Sequence, residues 1–248
     1  MNTPVVLITG ALTGIGRATA IAFAREGARI VVSGRRDEAG QKLVAELRQT
    51  GVEAEYWRAD VRHEDDVTDL VDKTVAHFGR LDIAVNNAAT EGRGGLVTEQ
   101  TAESYAATFE TNVLGVLLSM KHELRVMLPQ GSGSIVNVSS AYGSVGAPAA
   151  AVYVGSKHAV EGMTKSAALE VAETGVRVNV VAPGTTDTAM LTRFTNTDAN
   201  KAALVSTVPI KRLATPEEIA HVIVFIGSAD ASYMTGASIP VDGGILAD

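Results

Sequence analysis

The 248-residue sequence contains no cysteine. Disulfide bonds, thiolate metal sites and a cysteine nucleophile are therefore excluded, and we predict no metal site. No apolar run reaches the roughly 20 residues that a membrane-spanning helix needs. The first residues, MNTPVVLITG, have no basic segment ahead of the apolar ones, so a signal peptide is not expected. We expect a cytoplasmic protein with no membrane partner.

Basic residues are fewer than acidic ones: the chain has 21 Lys and Arg and 28 Asp and Glu, which gives a net charge of -7. Such a chain has no general affinity for nucleic acid, although a local basic patch could still bind a small anion. The apolar fraction of 46% is ordinary for a protein with a sizeable core. We expect one domain over residues 1–248.

Short β-branched apolar runs alternate with longer helix-like segments. Near-continuous apolar strands are typical of a sheet covered on both faces, and strand–helix–strand order implies parallel strands. The pattern predicts an α/β fold, a Rossmann-type doubly wound parallel sheet with helices on both faces. The predicted strands are 5–9, 28–33, 53–59, 81–86, 133–139, 176–182 and 238–241, and the predicted helices are 15–26, 37–50, 64–78, 101–128, 153–173 and 216–228.

The stretch 185–212 is the least regular part of the chain and is rich in Thr, Asn, Asp and Ala. A loop of this length in a compact domain is often a binding element. We predict a lid near 185–212, on the substrate side of the domain.

The first strand–helix junction, TGALTGIG at 9–16, is rich in glycine. Gly10 can adopt the backbone angles of a tight turn, and Gly14 and Gly16 let the backbone approach a phosphate closely. The helix that starts near Ile15 would direct its N–H groups at that phosphate. Ligands of open α/β sheets bind at this edge. The alternative is a glycine-rich turn that binds nothing.

Arg35 and Arg36 follow the second predicted strand, where a dinucleotide fold holds the adenosine ribose. Guanidinium groups suit a 2′-phosphate, and Arg17 on the first helix could lie near. This predicts that NADP(H) is preferred, with NAD(H) possible. The alternative is that both arginines are solvated at a helix N-terminus that Asp37 caps.

Tyr153 and Lys157 stand four residues apart on a predicted helix and therefore on one face. An ammonium beside a phenol lowers the pKa of the phenol, which would make Tyr153 a usable proton donor near neutral pH. The spacing alone is weak evidence, because such pairs occur often by chance. A surface tyrosine beside a solvated lysine is the alternative.

Eight motifs follow one another in the order typical of a known family: TGALTGIG (9–16), ADV (59–61), NNAA (86–89), TNVLG (111–115), IVNVSS (135–140), YVGSK (153–157), VNVVAPG (178–184) and VDGG (241–244). The chain thereby resembles the short-chain dehydrogenases/reductases of the single-domain type, about 250 residues long. The resemblance covers essentially the whole chain. It implies a catalytic set of Asn112, Ser140, Tyr153 and Lys157. Ser139 should point to the other face of its strand.

The resemblance also implies the role of each residue. Tyr153 is the general acid or base, and Ser140 stabilises the substrate oxygen. Lys157 lowers the pKa of Tyr153 and binds the nicotinamide ribose, and Asn112 holds a water that leads to solvent. The adenine would lie at Asp60 and Val61. The full set of predicted cofactor contacts is Gly10, Thr13, Gly14, Ile15, Gly16, Arg35, Arg36, Asp60, Val61, Asn86, Ala88, Tyr153, Lys157, Pro183, Gly184, Thr186 and Thr188.

Two positions depart from the family pattern. Ala89 stands where the family usually has glycine, so alanine would be strained if its φ were positive. Thr13 stands where NADP-preferring relatives often carry a basic residue, so the predicted cofactor preference depends mainly on Arg35.

These motifs predict an NAD(P)-dependent oxidoreductase that interconverts a carbonyl and a secondary alcohol. The alternatives are a 3-oxoacyl-thioester reductase or a sugar dehydrogenase on the same fold, or a nucleotide-binding regulator without turnover. A nucleotide-sugar epimerase would need a second domain. The stretches expected to contact substrate, Glu91–Gly95, Tyr142–Val152 and Thr186–Phe194, carry few charges, which favours a neutral ketone over a phosphorylated or multiply charged substrate.

The predicted helix at 101–128 is apolar on more than one face, which indicates contact with another subunit. A second apolar stripe comprises Ala159, Val160, Met163, Ala167 and Val171. Burial under the lid of a single chain is the alternative. The resemblance implies a homotetramer, with both long helices and the C-terminal strand at its interfaces.

Overall fold

The computed structural model describes residues 3–247, and its core is one parallel sheet of seven strands in the order β3-β2-β1-β4-β5-β6-β7. The predicted Rossmann-type doubly wound sheet is confirmed, and each predicted strand matches an observed one to within two residues. The strands are β1 Val5–Thr9, β2 Arg29–Gly34, β3 Ala54–Arg58, β4 Ile83–Asn86, β5 Gly133–Val138, β6 Val176–Pro183 and β7 Ser238–Val241.

The helices differ from the prediction in two places. The segment predicted as one helix over 101–128 contains two, separated by a π-helical turn at Glu110–Leu114. The irregular stretch 185–212 contains two short helices, each capped by a threonine hydroxyl. The helices are α1 Gly14–Arg25, α2 Asp37–Arg48, α3 Glu64–Phe78, α4 Ala102–Phe109, α5 Gly115–Gln130, α6 Ala151–Glu170, α7 Ala189–Thr195, α8 Asp198–Thr207 and α9 Pro216–Gly227.

The sheet separates two apolar cores. On one face, α1, α2 and α9 pack through residues such as Phe23, Leu47 and Ile223. On the other face, α3, α5 and α6 pack through residues such as Leu70 and Met120. The strands are buried on both sides, which is why they read as nearly continuous apolar runs. No helix in the described chain, residues 3–247, is long and apolar enough to cross a membrane.

The stripe predicted as a subunit interface on α6 belongs largely to the core of the chain itself. Val160, Ala167 and Val171 are buried against the sheet, and Met163 packs on them. The alternative of burial within one chain therefore holds for this stripe, but the sheet, and not the lid, covers it.

The strand order places the carboxyl ends of β1 and β4 side by side. β1 pairs with β2 on one side and with β4 on the other. Crossovers therefore leave β1 in opposite directions, and this switch point opens the crevice where ligands of such sheets bind. The glycine junction after β1 and the segment after β4 form its walls.

Glu123 on α5 is a carboxyl group buried in the interior. Its Oε2 accepts a hydrogen bond from Asn86 Nδ2 at 3.0 Å. Asn86 Nδ2 also donates to Asn137 Oδ1 at 2.9 Å, and Asn137 Nδ2 donates to Thr164 Oγ1 at 2.9 Å. Burial raises the pKa of Glu123 to about 7, against a smaller lowering by the Asn86 hydrogen bond. The network joins β4, β5, α5 and α6.

This raised pKa makes stability depend on pH. The folded-state pKa of Glu123 lies above the ordinary value of 4.5, so its stabilising contribution is complete below about pH 4.5 and is lost as the pH rises through about 7. Glu123→Gln carries no charge at any pH. We expect the variant to gain on the order of 3 kcal/mol over the wild type between about pH 5 and about pH 8.

Urea unfolding at the two pH values measures this gain. Glu38→Gln, at an exposed position on α2, serves as the control and should follow the wild type. A Glu123→Gln variant that differs from the wild type by the same amount at both pH values would contradict the assignment.

Candidate active site

A long groove of about 280 Å³ follows the carboxyl ends of β1, β2 and β4. We call it the dinucleotide groove, and it is lined by Gly10, Leu12, Thr13, Gly14, Ile15, Ser33, Gly34, Arg35, Arg36, Ala59, Asp60, Val61, Asn87, Ala88, Ala89, Thr111, Thr188, Ala189, Met190 and Arg193. Ten of the predicted cofactor contacts lie in it. The lining of the groove suits a dinucleotide. The N-terminus of α1 lies at the centre, where it could bind phosphate, and two arginines lie at one end.

The glycines at the start of α1 serve different purposes. Gly10 and Gly14 have φ of +63° and +54°, which favours glycine at both. A Cβ on Gly16 would lie 2.4 Å from Asn87 Nδ2 and 2.6 Å from the Gly10 carbonyl oxygen. Gly16 is buried and does not line the groove. The missing side chain of Gly16 thus makes room for Asn87, and its predicted contact with a phosphate stays a prediction.

Gly10 should tolerate no side chain. A Cβ there would lie 2.7 Å from Ala88 Cα, which is backbone and cannot move aside. We expect Gly10→Ala to lower the free energy of unfolding by about 2 kcal/mol or more, because the clash adds to the cost of a positive φ. Gly27→Ala is the matched control, since Gly27 has φ +79° with no atom within 4 Å. Equal losses in the two variants, measured by urea unfolding, would show that the contact with Ala88 costs nothing.

Arg35 and Arg36 lie at the adenosine end of the dinucleotide groove. The Arg35 side chain is 66% exposed, and its guanidinium stands 3.7 Å from Asp60. The hydrogen bonds from Arg62, aided by its charge, lower the pKa of Asp60 to about 2, so this carboxylate is charged at neutral pH. Because the Arg35 side chain is mostly exposed and its contact with Asp60 is long, it can reach an anion in the groove.

The structure contradicts the suggestion that Arg17 lies near the adenosine end, and it contradicts the Asp37 cap that was part of the alternative for Arg35 and Arg36. Arg17 points away from the groove and donates to both oxygens of Glu46 on α2, at 2.7 and 2.5 Å. Asp37 does not cap α2, since Arg36 occupies the N-cap position and Asp37 accepts from the Tyr56 hydroxyl at 3.0 Å. Both side chains find partners on neighbouring elements that lie far away in the sequence.

A second, smaller cavity of about 150 Å³ adjoins the dinucleotide groove. We call it the substrate cavity. Ser140, Tyr153 and Lys157 line it together, as do Pro183, Gly184, Thr186 and Thr188 after β6. The rest of its lining is mostly apolar and includes Ile15, Val138, Ala141, Met190, Leu191, Phe194, Leu204 and Ile245.

Tyr153 is a protonated phenol in this cavity. Burial raises the pKa of Tyr153 to about 12, and the nearby charges of Glu91 and Tyr142 add to the increase. The hydrogen bond with Ser140 opposes it. A phenol with this pKa keeps its proton at neutral pH, which is the state that a general acid needs.

The pKa of Tyr153 is therefore raised in the protein chain, where the sequence predicted that Lys157 lowers it. Lys157 Nζ lies 5.7 Å from the centre of the Tyr153 ring and donates to the Val138 carbonyl at 3.0 Å. The Lys157 ammonium lies near the ring and donates to the strand, and burial remains the largest influence on the pKa of Tyr153. Burial also lowers the pKa of Lys157 to about 8, and the charge of Glu161 opposes that change.

Asn112 sits on the π-helical turn between α4 and α5 and is fully buried. Its Oδ1 accepts from the Thr90 backbone N–H at 2.8 Å. Its Nδ2 donates to the Thr90 carbonyl at 2.9 Å and to Ser156 Oγ at 3.0 Å. The side chain thus ties the segment after β4 to α6. Both amide N–H groups are already used within the chain.

Ser139 and Ser140 diverge at the end of β5, as the alternation of a strand predicts. Ser140 faces Tyr153, and its Oγ accepts from the Tyr142 backbone N–H at 3.2 Å. Ser139 Oγ donates to the Lys157 carbonyl at 3.3 Å. Both serines line the substrate cavity, and the side chain of Ser140 is the one that interacts with Tyr153.

The segment after β4 requires a correction. Asn86 does not line the groove, because its side chain points into the interior toward Glu123 and Asn137. The next residue, Asn87, lines both the groove and the cavity, and its Nδ2 donates to the Thr9 and Gly10 carbonyls at 3.1 and 3.0 Å. Ala89 has no positive φ, so the strain considered for alanine does not arise.

Helices α7 and α8 cover the substrate cavity with Met190, Leu191, Phe194 and Leu204. Arg193 on α7 makes a double hydrogen bond to Glu91 after β4, at 2.5 and 3.0 Å, which joins the cover to the sheet. Sequence reasoning missed Leu204 and Ile245 as lining residues, since nothing in their local pattern differs from core positions.

Comparisons with known proteins agree with this geometry. A family model described as enoyl-(acyl carrier protein) reductase matches residues 10–246. A 2,5-dichloro-2,5-cyclohexadiene-1,4-diol dehydrogenase of Sphingobium indicum is 41% identical over 98% of this chain and 96% of its own. A short-chain type dehydrogenase/reductase from Mycobacterium ulcerans has a TM-score of 0.94 at 30% identity, over 98% of this chain and 90% of its own. The chain belongs to the short-chain dehydrogenase/reductase family.

Three further proteins are similar to this chain over nearly their whole length. A cyclohexanol dehydrogenase of an Acinetobacter species is 39% identical over 98% of this chain and 94% of its own. The crystal structure of levodione reductase has a TM-score of 0.97 at 35% identity, over 100% of this chain and 99% of its own. An actinorhodin polyketide ketoreductase solved with NADPH has a TM-score of 0.93 at 36% identity, over 98% and 97%. This short-chain dehydrogenase/reductase is an NAD(P)-dependent oxidoreductase that interconverts a carbonyl and an alcohol.

Proposed function

We propose that the protein reduces a small, neutral, cyclic ketone with NADPH, with Tyr153 as the general acid. The observation that carries this proposal is the mostly apolar cavity of about 150 Å³ in front of Tyr153 and Ser140. A cavity of this kind suits a compact ring with a single carbonyl. The relatives named for cyclohexanol and a cyclohexadiene diol act on six-membered rings, which supports the same class.

The preference for NADPH is supported by charge at the adenosine end of the dinucleotide groove. Arg35 is largely exposed there, and Arg36 lies beside it. A 2′-phosphate would offer these guanidinium groups charge-assisted hydrogen bonds. The pyrophosphate would meet the backbone N–H groups at the start of α1, next to Gly14 and opposite Thr188.

Tyr153 is the residue that transfers the proton. A bound nicotinamide supplies the hydride to the carbonyl carbon. As negative charge develops on the substrate oxygen, the hydroxyls of Ser140 and Tyr153 donate hydrogen bonds to it. Tyr153 then gives up its proton to that oxygen, and in alcohol oxidation it takes the proton back.

Lys157 and Asn112 assist proton transfer from Tyr153. The Lys157 ammonium, next to the Tyr153 ring, stabilises the tyrosinate that remains after transfer. Asn112 fixes Thr90 and Ser156 and so sets the distance between the segment after β4 and α6. Reprotonation of Tyr153 would run through Lys157 and a water held near Asn112.

The lid role of residues 185–212 is part of this proposal. Closure of α7 and α8 over the substrate cavity would exclude water from the developing charge. The Glu91–Arg193 ion pair supports a closed arrangement.

Oxidation of NADPH and NADH by the purified protein, followed by absorbance, tests the function. Substituted cyclohexanones, 3-oxoacyl thioesters and sugars form the panel. We expect turnover with NADPH and the highest kcat/KM for a cyclic ketone. A higher kcat/KM for a 3-oxoacyl thioester would show that thioesters, and not cyclic ketones, are the substrate class. Tight NADPH binding with no turnover of any compound in the panel would favour a regulator.

A homotetramer is also proposed. Leu117 on α5 and Leu169 on α6 are 49% and 80% exposed, which supports contact between copies through these helices. Light scattering with Leu117→Glu and Leu169→Glu measures the assembly, and unchanged mass in both variants would place the interface elsewhere.

A further inference from the structure

Glu161 is a buried carboxyl group that the mechanism described above leaves unused. It follows Lys157 by one turn of α6, so Tyr153, Lys157 and Glu161 stand at i, i+4 and i+8 on one side of the helix. Glu161 is 6% exposed. Within residues 3–247, its Oε1 has no hydrogen-bond partner.

The carboxyl group of Glu161 is wedged between α6 and the turn that follows Ser140. A Cβ on Gly143 in that turn would lie 2.8 Å from Glu161 Oε1 and 2.6 Å from Ser139 Oγ. Ser139 Oγ in turn donates to the Lys157 carbonyl at 3.3 Å. A methyl group at Gly143 would force the Glu161 carboxyl group or the Ser139 hydroxyl to shift, so the carboxyl group lies directly against this turn.

A buried carboxylate is costly unless a cation compensates it. Lys157 is the buried cation one helical turn from Glu161, and the charge of Glu161 opposes the lowering of the Lys157 pKa. The other charged or titratable groups nearby face elsewhere. Tyr142 and Glu91 act on Tyr153, Glu110 acts on Arg62, Arg177 donates to carbonyls at the end of α9, and His158 and Lys165 are exposed.

We propose that Glu161 is a positioning residue for the reaction: its carboxylate keeps Lys157 protonated beside Tyr153 and holds the Ser140 turn against α6. The proposal rests on the proposed role of Lys157 in proton transfer. Lys157 with a pKa of about 8 is close to losing its charge at physiological pH. A fixed carboxylate one turn away counteracts that loss without touching the substrate.

The pH profile of kcat for ketone reduction tests the proposal in Glu161→Gln. The alkaline limb, where Lys157 deprotonates, should move down by about one pH unit, because an opposite charge has been removed. At about pH 9 kcat should then fall about tenfold below the wild type, and at about pH 6 the two should agree within about twofold. Glu170→Gln, exposed on the same helix, is the matched control. An equal loss of kcat at every pH would overturn the proposal.

A stability cycle gives a second test that needs no turnover. Lys157→Met leaves the Glu161 carboxylate without its cation, and we expect a lower melting temperature. Adding Glu161→Gln should raise the melting temperature of Lys157→Met, although the same change does not stabilise the wild type.

An equal effect of Glu161→Gln in both backgrounds would overturn the coupling. If Glu161→Gln alone does not fold, the comparison of Lys157→Met with the double variant decides, since a double variant no more stable than Lys157→Met overturns the proposal. Because the cycle is read without substrate, a failure of the proposed function would not obscure its result.

Discussion

Replacing Tyr153 with phenylalanine should lower kcat for ketone reduction by about 10²- to 10⁴-fold. The variant keeps the ring that Lys157 faces and loses only the hydroxyl. Tyr153 is the phenol that lines the substrate cavity beside Ser140, and it is protonated at neutral pH with a pKa of about 12. Without it, the oxygen that gains charge must take its proton from water.

Steady-state kinetics and NADPH fluorescence titration separate this effect from a loss of binding. We expect the Kd for NADPH to change little, because the dinucleotide groove is lined by other residues. Tyr233→Phe, at a fully exposed position, is the control and should match the wild type. A Tyr153→Phe variant within a few-fold of wild-type kcat would mean that another group delivers the proton.

Arg35→Asp should reverse the proposed preference for NADPH over NADH. The change removes a guanidinium that is 66% exposed in the dinucleotide groove and places a carboxylate near Asp60, which is already charged. Charge-assisted hydrogen bonds are worth about 1.5–3 kcal/mol, so kcat/KM for NADPH should fall by about 10- to 100-fold. With NADH, a carboxylate can accept hydrogen bonds from the ribose 2′-hydroxyl, so kcat/KM should hold or rise.

The ratio of kcat/KM for the two cofactors, measured with one ketone, reports this reversal. Arg25→Asp makes the same change of charge at an exposed position outside the dinucleotide groove and should leave the ratio unchanged. A ratio unaffected by Arg35→Asp would assign the preference to Arg36 or to the glycine turn.

Several features could be predicted because they depend on local sequence. The strands are buried on both faces and therefore read as apolar runs, and Gly10 and Gly14 occupy the positive φ positions that the turn after β1 requires. Tyr153 and Lys157 share a face because a helix repeats every 3.6 residues. Ser139 and Ser140 diverge because side chains of a strand alternate.

Errors arose where the partner of a side chain comes from a distant part of the chain. Arg17 binds Glu46, and Asn86 turns inward to Glu123, and neither partner is visible in the local pattern. The stretch 185–212 appeared irregular because its two helices are short and capped by single threonines. The apolar stripe on α6 looked available to a second copy, but the sheet of the same chain covers it.

The order of elements follows from periodicity and glycine placement, both of which can be read from the sequence. The order of the motifs indicated the family and, through the resemblance, the proposed catalytic set of Asn112, Ser140, Tyr153 and Lys157. The electrostatics of these residues depend on how the chain folds. The pKa of Tyr153 rises and that of Lys157 falls because folding removes water from both groups. Glu161 becomes part of the same site because folding presses the Ser140 turn onto α6. Burial and long-range contact set these properties, and both exist only once segments far apart in the chain have packed together.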